Sequence, residues 1–423
     1  MLHHMNFKAK VSACEFSPCG RSFAVCAGKT IQIWATPTML KEFAPFRLLR
    51  QYGGMYDDAT CVGWSADSRW VIVGSKDLTA RVYSANHVEG YAPPTLAGHR
   101  EPLVHVAFAG DNGDACFTVS KDGAVFEWRL EEADEDQGPG GGDSARRKNA
   151  NPAKVKTKRW RMCGKHFFHQ PAKLTCADYH RATGLLCAGF GHGVFTMHRL
   201  SPDSFEHVQT LSVSQEKVSA CAFDETGDWI ALGCARLGQL VVWEWQSEAY
   251  VYKQQGHYFD VNACAYAPDG SMLATAADDH KVKVWSATTG SCFVTFAEHA
   301  APVSAVAFLP TGHALLSASL DGTVRAFDLM RYRNFRVLTS PDPSQFVSLA
   351  VDPTGEIVCA GKRRSEATKS EKRKATPLFF FPRVFSCPAR LWSFFFSPPP
   401  LRRRRRLRSR NVMIVPKSNA DAQ

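Results

Sequence analysis

Apolar and polar residues alternate along this chain in short runs, and the runs recur. In each unit an aromatic or aliphatic residue leads into a tight turn, and alternating apolar positions then end on a second aromatic. The turn segments start at Phe16, Trp64, Phe108, Phe223, Tyr266, Phe308 and Val351, with a degenerate copy at Tyr179; successive spacings are 48, 44, 71, 44, 43, 42 and 43 residues. The closing residues Trp34, Tyr83, Trp128, His198, Trp243, Trp285 and Phe327 are spaced 49, 45, 70, 45, 42 and 42 residues apart. Alternation with period two predicts strands, and a repeat of this length predicts four-stranded propeller blades. The expected fold is all-β: a propeller of about seven blade units plus the start of an eighth, over residues 1–361. Both counts put their one long interval in the same unit. The extra residues, 131–159, run acidic, Gly-rich, then basic, and predict a disordered insertion.

The units resemble WD repeats. Gly98–His99, Gly256–His257 and Glu298–His299 stand at the start of units, and Asp77, Asp122, Asp279 and Asp321 stand in tight turns. The resemblance implies a structural hydrogen-bonded set in a blade, made of His, Asp, a strand hydroxyl and the closing Trp. His99, Asp122 and Trp128 fit one set and His257, Asp279 and Trp285 another; Phe327 replaces Trp in the next unit, so that set lacks its indole donor. Longer segments, including VGSKDLTARVY, WEWQSE, KQQGH, DDHKVKVWSATTGSCFVTFAEH and RYRNFR, are similar to the periodic tryptophan protein 2 family across most of residues 7–361. That resemblance implies a nucleolar protein of the UTP-B subcomplex of the small-subunit processome, acting in early 18S rRNA precursor processing. Its expected partners are other WD-repeat processome proteins, small nucleolar RNA and pre-ribosomal RNA. The family plan has two tandem propellers and a helical C-terminal region. Against it the chain starts inside the first propeller, short of about two blades, and the likeness stops after Gly361, with the junction between propellers near residue 250. Counted alone, residues 1–330 hold seven blade units, which is enough for one closed ring. An open ring would leave bare strand edges, prone to aggregation.

Charge changes one part of this picture. The net charge is +11, but residues 362–423 carry 17 Lys and Arg against 3 Asp and Glu. The propeller region is therefore slightly acidic, and its charge gives no argument for a nucleic-acid-binding body. The last segment is expected to be a disordered basic tail. Its abrupt break from the blade pattern suggests translated non-coding sequence; the alternative is an import or RNA-contacting arm built on Arg402 to Arg406. Its Phe-rich stretch is cut by Arg383, Arg390 and several prolines, so no membrane span is expected. MLHHMNFKAK lacks the apolar run of a secretory signal. None of the 14 cysteines forms a C-x-x-C pair, and several recur at one strand position, which suits reduced, core-packing thiols.

Candidate chemistry is sparse. Cys163, His166, His169 and Cys176 offer zinc-type ligands at a spacing that fits no common structural site. GFGHGVF at Gly189–Phe195 has no following helix to cradle phosphate. Asp57–Asp58 reads as a solvated pair, and no G-x-S-x-G elbow occurs. No catalytic residue, cofactor, metal or small-molecule substrate is expected. The segment Arg331, Tyr332, Arg333, Asn334, Phe335 and Arg336 mixes arginine with aromatics on a connection between units, and is the candidate partner contact. The leading reading is a scaffold, with a generic WD-repeat adaptor as the alternative. A propeller hydrolase is a third, and would need a cluster of perturbed acids in the central channel.

Overall fold

The computed structural model describes residues 3–382 apart from 8, 38–46, 89–90, 111, 134–156, 202–203, 340–344 and 364–375. Those residues form eight antiparallel four-stranded sheets. Seven sheets use four consecutive strands each. Their inner strands are Val11–Phe16, Ala59–Trp64, Leu103–Ala109, Leu174–His180, Val218–Phe223, Val261–Tyr266 and Val303–Phe308, and the sheets are blades one to seven in that order. The eighth has Gln345–Val351 innermost, then Ile357–Arg363 and Thr376–Pro382, and its outer strand is His3–Phe7. Each inner strand packs on the next, and that of the first blade packs on the eighth, so the ring closes.

The burial pattern follows from this geometry. Second strands lie between neighbouring blades and are buried on both faces, as in Phe23–Ala27 and Leu185–Phe190. Outer strands such as Leu48–Tyr52 are largely exposed. Apolar clusters fill the interfaces between adjacent blades: Leu240, Tyr252, Leu273 and Trp285 join blades five and six, and Phe7, Phe23, Ile357 and Cys359 join eight and one. Burial of this area is the main stabilising term. The turns after the inner strands need left-handed backbone, supplied by glycine at Gly227 and Gly270 and by Ser68 (φ 58°) in the second blade.

Every inner strand also carries a β-bulge, between its first and third residues in blades one to seven and between Phe346 and Ser348 in the eighth. The residue in the bulge is usually a hydroxyl or amide, and in blades four to seven it bonds across to the next blade. The single Ser304 hydroxyl proton is shared between the Ala318 carbonyl of its own blade (3.1 Å) and the Phe346 carbonyl of the eighth (2.8 Å). Thr175 and Ser219 reach Val218 and Val261 in the same way, and Asn262 Nδ2 reaches Val303 at 2.9 Å.

Four boundaries differ from those expected. The eighth unit is a complete blade, because a strand from the far end of the sequence supplies its outer edge. Residues 362–363 and 376–382, expected in a disordered tail, are strand, since Ile357–Gly361 needs a pairing partner and finds it in Leu378–Pro382. The rest of the tail, with Arg402 to Arg406, lies outside the described residues. The insertion is shorter than 131–159, because Glu131–Ala133 pairs with Thr157–Arg159 and extends the hairpin of the third blade. Residue 250 marks no break in this ring: Ala249–Gln255 is the outer strand of blade five, and that blade packs on blade six.

Candidate functional site

The blade histidines organise buried polar chains. In the sixth blade His257 Nδ1 donates to Asp279 at 2.9 Å, and Nε2 meets Thr275 Oγ1 at 2.8 Å. The same hydroxyl accepts from Trp285 Nε1 at 2.9 Å. Because the carboxylate only accepts, the bonds run one way, from indole to hydroxyl to imidazole to Asp279. Burial pushes the Asp279 carboxyl up, but the bonds from His257 and the Lys281 and Tyr258 amides outweigh it and hold the group below its ordinary range.

The third blade lengthens the chain by one link. His99 Nδ1 lies 2.8 Å from Ser120 Oγ, which in turn donates to Asp122, while Nε2 meets Thr118 Oγ1 at 2.7 Å. Trp128 Nε1 completes it at 3.0 Å from Thr118. Burial lowers the His99 pKa to about 4. In the seventh blade His299 bonds Asp321 (2.8 Å) and Ser317 (2.6 Å); Phe327 offers no donor and instead stacks on Phe296 at 4.0 Å. The fourth blade has His198 in the closing place, stacked on Phe205, with burial lowering its pKa to about 4. There the hydroxyl of the fully buried Thr196 has no partner. These chains tie strands within one blade, and their polar atoms are occupied or sealed from solvent.

The arginine–aromatic segment lies on the rim. Asp328 Oδ1 accepts from the Met330 and Arg331 amides, and Asn334 Nδ2 bonds Glu298 at 2.6 Å, so the turn into the outer strand Arg333–Thr339 is held from both sides. Arg331, Arg333 and Arg336 are exposed, as are Tyr332 (54%) and Phe335 (38%). Tyr332 sits edge-on to Phe293 of the sixth blade at 5.8 Å. With Met330 and Val337 these residues make one exposed apolar and basic face across the outer edges of two blades.

The other candidates come apart. Cys163 is exposed beside Glu131, His166 stacks on Phe205, and among the described residues no group of three His, Cys, Asp or Glu is placed to hold a metal. The described cysteines are free thiols. No helix among the described residues is long and apolar enough to cross a membrane. On the innermost strand of blade one, burial raises the Glu15 carboxyl to about 8 against the opposing pull of Arg181, whose Nη2 bonds the Trp64 carbonyl at 2.7 Å. Among the described residues this is a single raised carboxyl, and no cluster accompanies it. The repeat pattern carries no sign of the bulge hydroxyls and amide, of Ser120 as a relay, or of the opposed charges of Glu15 and Arg181.

Comparison with known proteins agrees with this architecture. The WD domain, G-beta repeat family model matches residues 2–35, 46–84, 248–286 and 290–328. Each match begins in the outer strand of one blade and takes three strands of the next, so one repeat bridges two blades. Periodic tryptophan protein 2 of Arabidopsis thaliana is 38% identical over 409 residues, covering 85% of this chain and 45% of that protein. Its Saccharomyces cerevisiae counterpart is 46% identical over 367 residues, covering 85% and 39%. The chain thus spans less than half the length of these relatives. Among solved structures, the C-terminal WD40 domain of Sif2 superposes with a TM-score of 0.67 at 12% identity, covering 90% of this chain and 99% of that one.

Proposed function

Taking this WD-repeat propeller as a member of the periodic tryptophan protein 2 family, we propose that it is a non-catalytic scaffold in ribosome biogenesis. It helps assemble the nucleolar small-subunit processome for early processing of the 18S rRNA precursor. Its direct partners are other WD-repeat proteins of that particle, with small nucleolar and pre-ribosomal RNA in the assembled complex. The observation that carries the reading is identity to these relatives along 85% of the chain, well beyond the repeat signature. The rim face of Arg331, Tyr332, Arg333, Phe335 and Arg336 is its contact surface: exposed aromatics and arginines on a pinned turn lose little entropy on docking. A generic WD-repeat adaptor is the second reading, favoured because that face would serve a protein partner in any assembly.

Affinity purification of the tagged chain from nuclear extract, with mass spectrometry and RNA sequencing, tests this. The scaffold reading expects WD-repeat processome proteins and small nucleolar RNA; other adaptor targets without them favour the second reading, and chaperones alone refute both.

A further inference from the structure

In blades four to seven the bulge residue ties its blade to the next. Across blades eight, one and two that tie is missing among the described residues. The bulge residue of blade eight is Val347, which has no polar side chain. In blade one Ser12 Oγ donates to the Cys26 carbonyl of its own blade at 3.4 Å, and in blade two Thr60 Oγ1 donates to the Gly74 carbonyl of its own at 3.2 Å. A cavity of about 210 Å³ opens at these three bulges, lined also by Lys10, Asp58 and Lys76. It lies at the end of the ring where the inner strands begin.

The charge around that end is a separate observation. The carbonyl just before an inner strand accepts from the amide just after the second strand: Lys10 from Gly28, Asp58 from Lys76, Pro102 from Lys121, Lys173 from Gly191 and Lys217 from Ala235. This one register sets Lys10, Lys76, Lys121, Lys173 and Lys217 around the mouth of the ring, all of them exposed. Lys76, Lys173 and Lys217 each lie within 4.0 Å of an acid, Asp58, Glu101 and Asp260, and exposed pairs of this kind attract only weakly. Lys10 and Lys121 have no acidic partner among the described residues. The same register sets Asp260 and Asp278 on blade six, so the positive side of the mouth is that of blades one to five.

We propose that this cavity binds the carboxylate of a glutamate or aspartate side chain, presented by an acidic segment of a partner polypeptide. Two lysines against one aspartate leave the lining a single positive charge, which one carboxylate balances. The Ser12 bond, at 3.4 Å, is near the limit of hydrogen bonding, so its hydroxyl is free to turn to the ligand. The lysines beyond the cavity draw in the acidic flanks of the segment. Nucleic acid fits less well, because single strands are held by bases stacked on aromatic rings and no described lining residue is aromatic. The site shares no residue with the rim face of blades six and seven and does not depend on the scaffold reading.

The test uses the full chain and a fluorescein-labelled Gly-Ser-Glu-Gly-Glu-Ser-Gly peptide, read by fluorescence anisotropy. The control peptide has glutamine for glutamate, which keeps the shape and removes the charge, and it should not bind. Lys10→Gln is expected to weaken binding about tenfold, the effect of one charge-assisted hydrogen bond. Lys76→Gln should weaken it at least as much, because it also leaves Asp58 unopposed. Both lysines are exposed, so the thermal transition should not move. Binding should survive Arg333→Gln on the rim and the replacement of Arg402 to Arg406 by serine. Equal binding of the two peptides, unchanged binding by both lysine variants, loss of binding with the rim or tail arginines, or no binding at all would overturn the proposal. So would an octauridine whose binding is lost in Lys10→Gln, which would assign the mouth to nucleic acid.

Discussion

The polar chain of the sixth blade makes a sharp prediction at Thr275. Its hydroxyl serves His257 Nε2 at 2.8 Å and Trp285 Nε1 at 2.9 Å, and all three side chains are buried. Thr275→Val keeps the shape and removes that oxygen, so no cavity enters the comparison. Two buried nitrogens then lose their partner. At about 1–3 kcal/mol for each of the two stranded groups the loss is about 2–6 kcal/mol, a large share of a typical domain's stability. The matched control is Thr196→Val in the fourth blade. Thr196 is equally buried, but its hydroxyl bonds nothing, so removing it should be neutral or slightly stabilising. Urea denaturation followed by tryptophan fluorescence measures both. The expected result is a lower midpoint for Thr275→Val at unchanged slope, and no loss for Thr196→Val. Equal losses would refute the view that the hydroxyl's partners, and not its burial, set its worth.

Three further outcomes follow from the same geometry. His99 and His198 are held near pH 4 in the fold against about 6.5 unfolded, so the unfolded chain takes up protons that the ring refuses. Stability from each, up to about 3 kcal/mol, is therefore present above pH 6.5 and lost as pH falls towards 4, which thermal melts across that window would register. Glu15 runs the other way: its folded pKa of about 8 lies above the unfolded value, so its contribution is whole below pH 4.5 and is lost as pH rises through 8. Glu15→Gln should flatten that alkaline decline in the same melts. Finally, replacing Tyr332 and Phe335 with alanine should lower the melting temperature by only a few degrees, the cost of the Tyr332–Phe293 edge contact and of partly exposed apolar area, yet reduce recovery of co-purifying proteins; intact recovery would refute the rim face as the contact surface.

Much of the ring was legible because blades repeat. Phe16, Trp64, Phe108 and their counterparts recur where a strand must end in a turn, and that spacing alone places seven sheets. Only the start of the eighth was legible, because its outer strand, His3–Phe7, lies about 370 residues away from its partner Thr376–Pro382 in sequence, and local periodicity carries no information about pairing at that range. The His257 and His299 sets were visible as fixed spacings between His, Asp and a closing aromatic. Ser120 was not, since a serine beside Asp122 has no signature that separates a relay from a turn cap. The bulge donors are present in the sequence as the hydroxyls of Ser219 and Ser304 and the amide of Asn262, one place inside the strand. They look like ordinary interruptions of an apolar run until the bulge turns them towards the next blade.

Those bulge bonds all point the same way. In blades four to seven the donor always belongs to the earlier blade and the acceptor to the later one, at separations of 43, 42, 41 and 42 residues. During synthesis each of these blades therefore leaves the ribosome with a hydroxyl or amide bonded only within its own blade, before the acceptor that ties it to the next blade exists. Its acceptor arrives one blade later, after roughly 2–9 seconds at ordinary translation speeds. Over blades four to seven the nascent ring thus grows with one inter-blade bond still unmade at its leading edge, handed forward blade by blade.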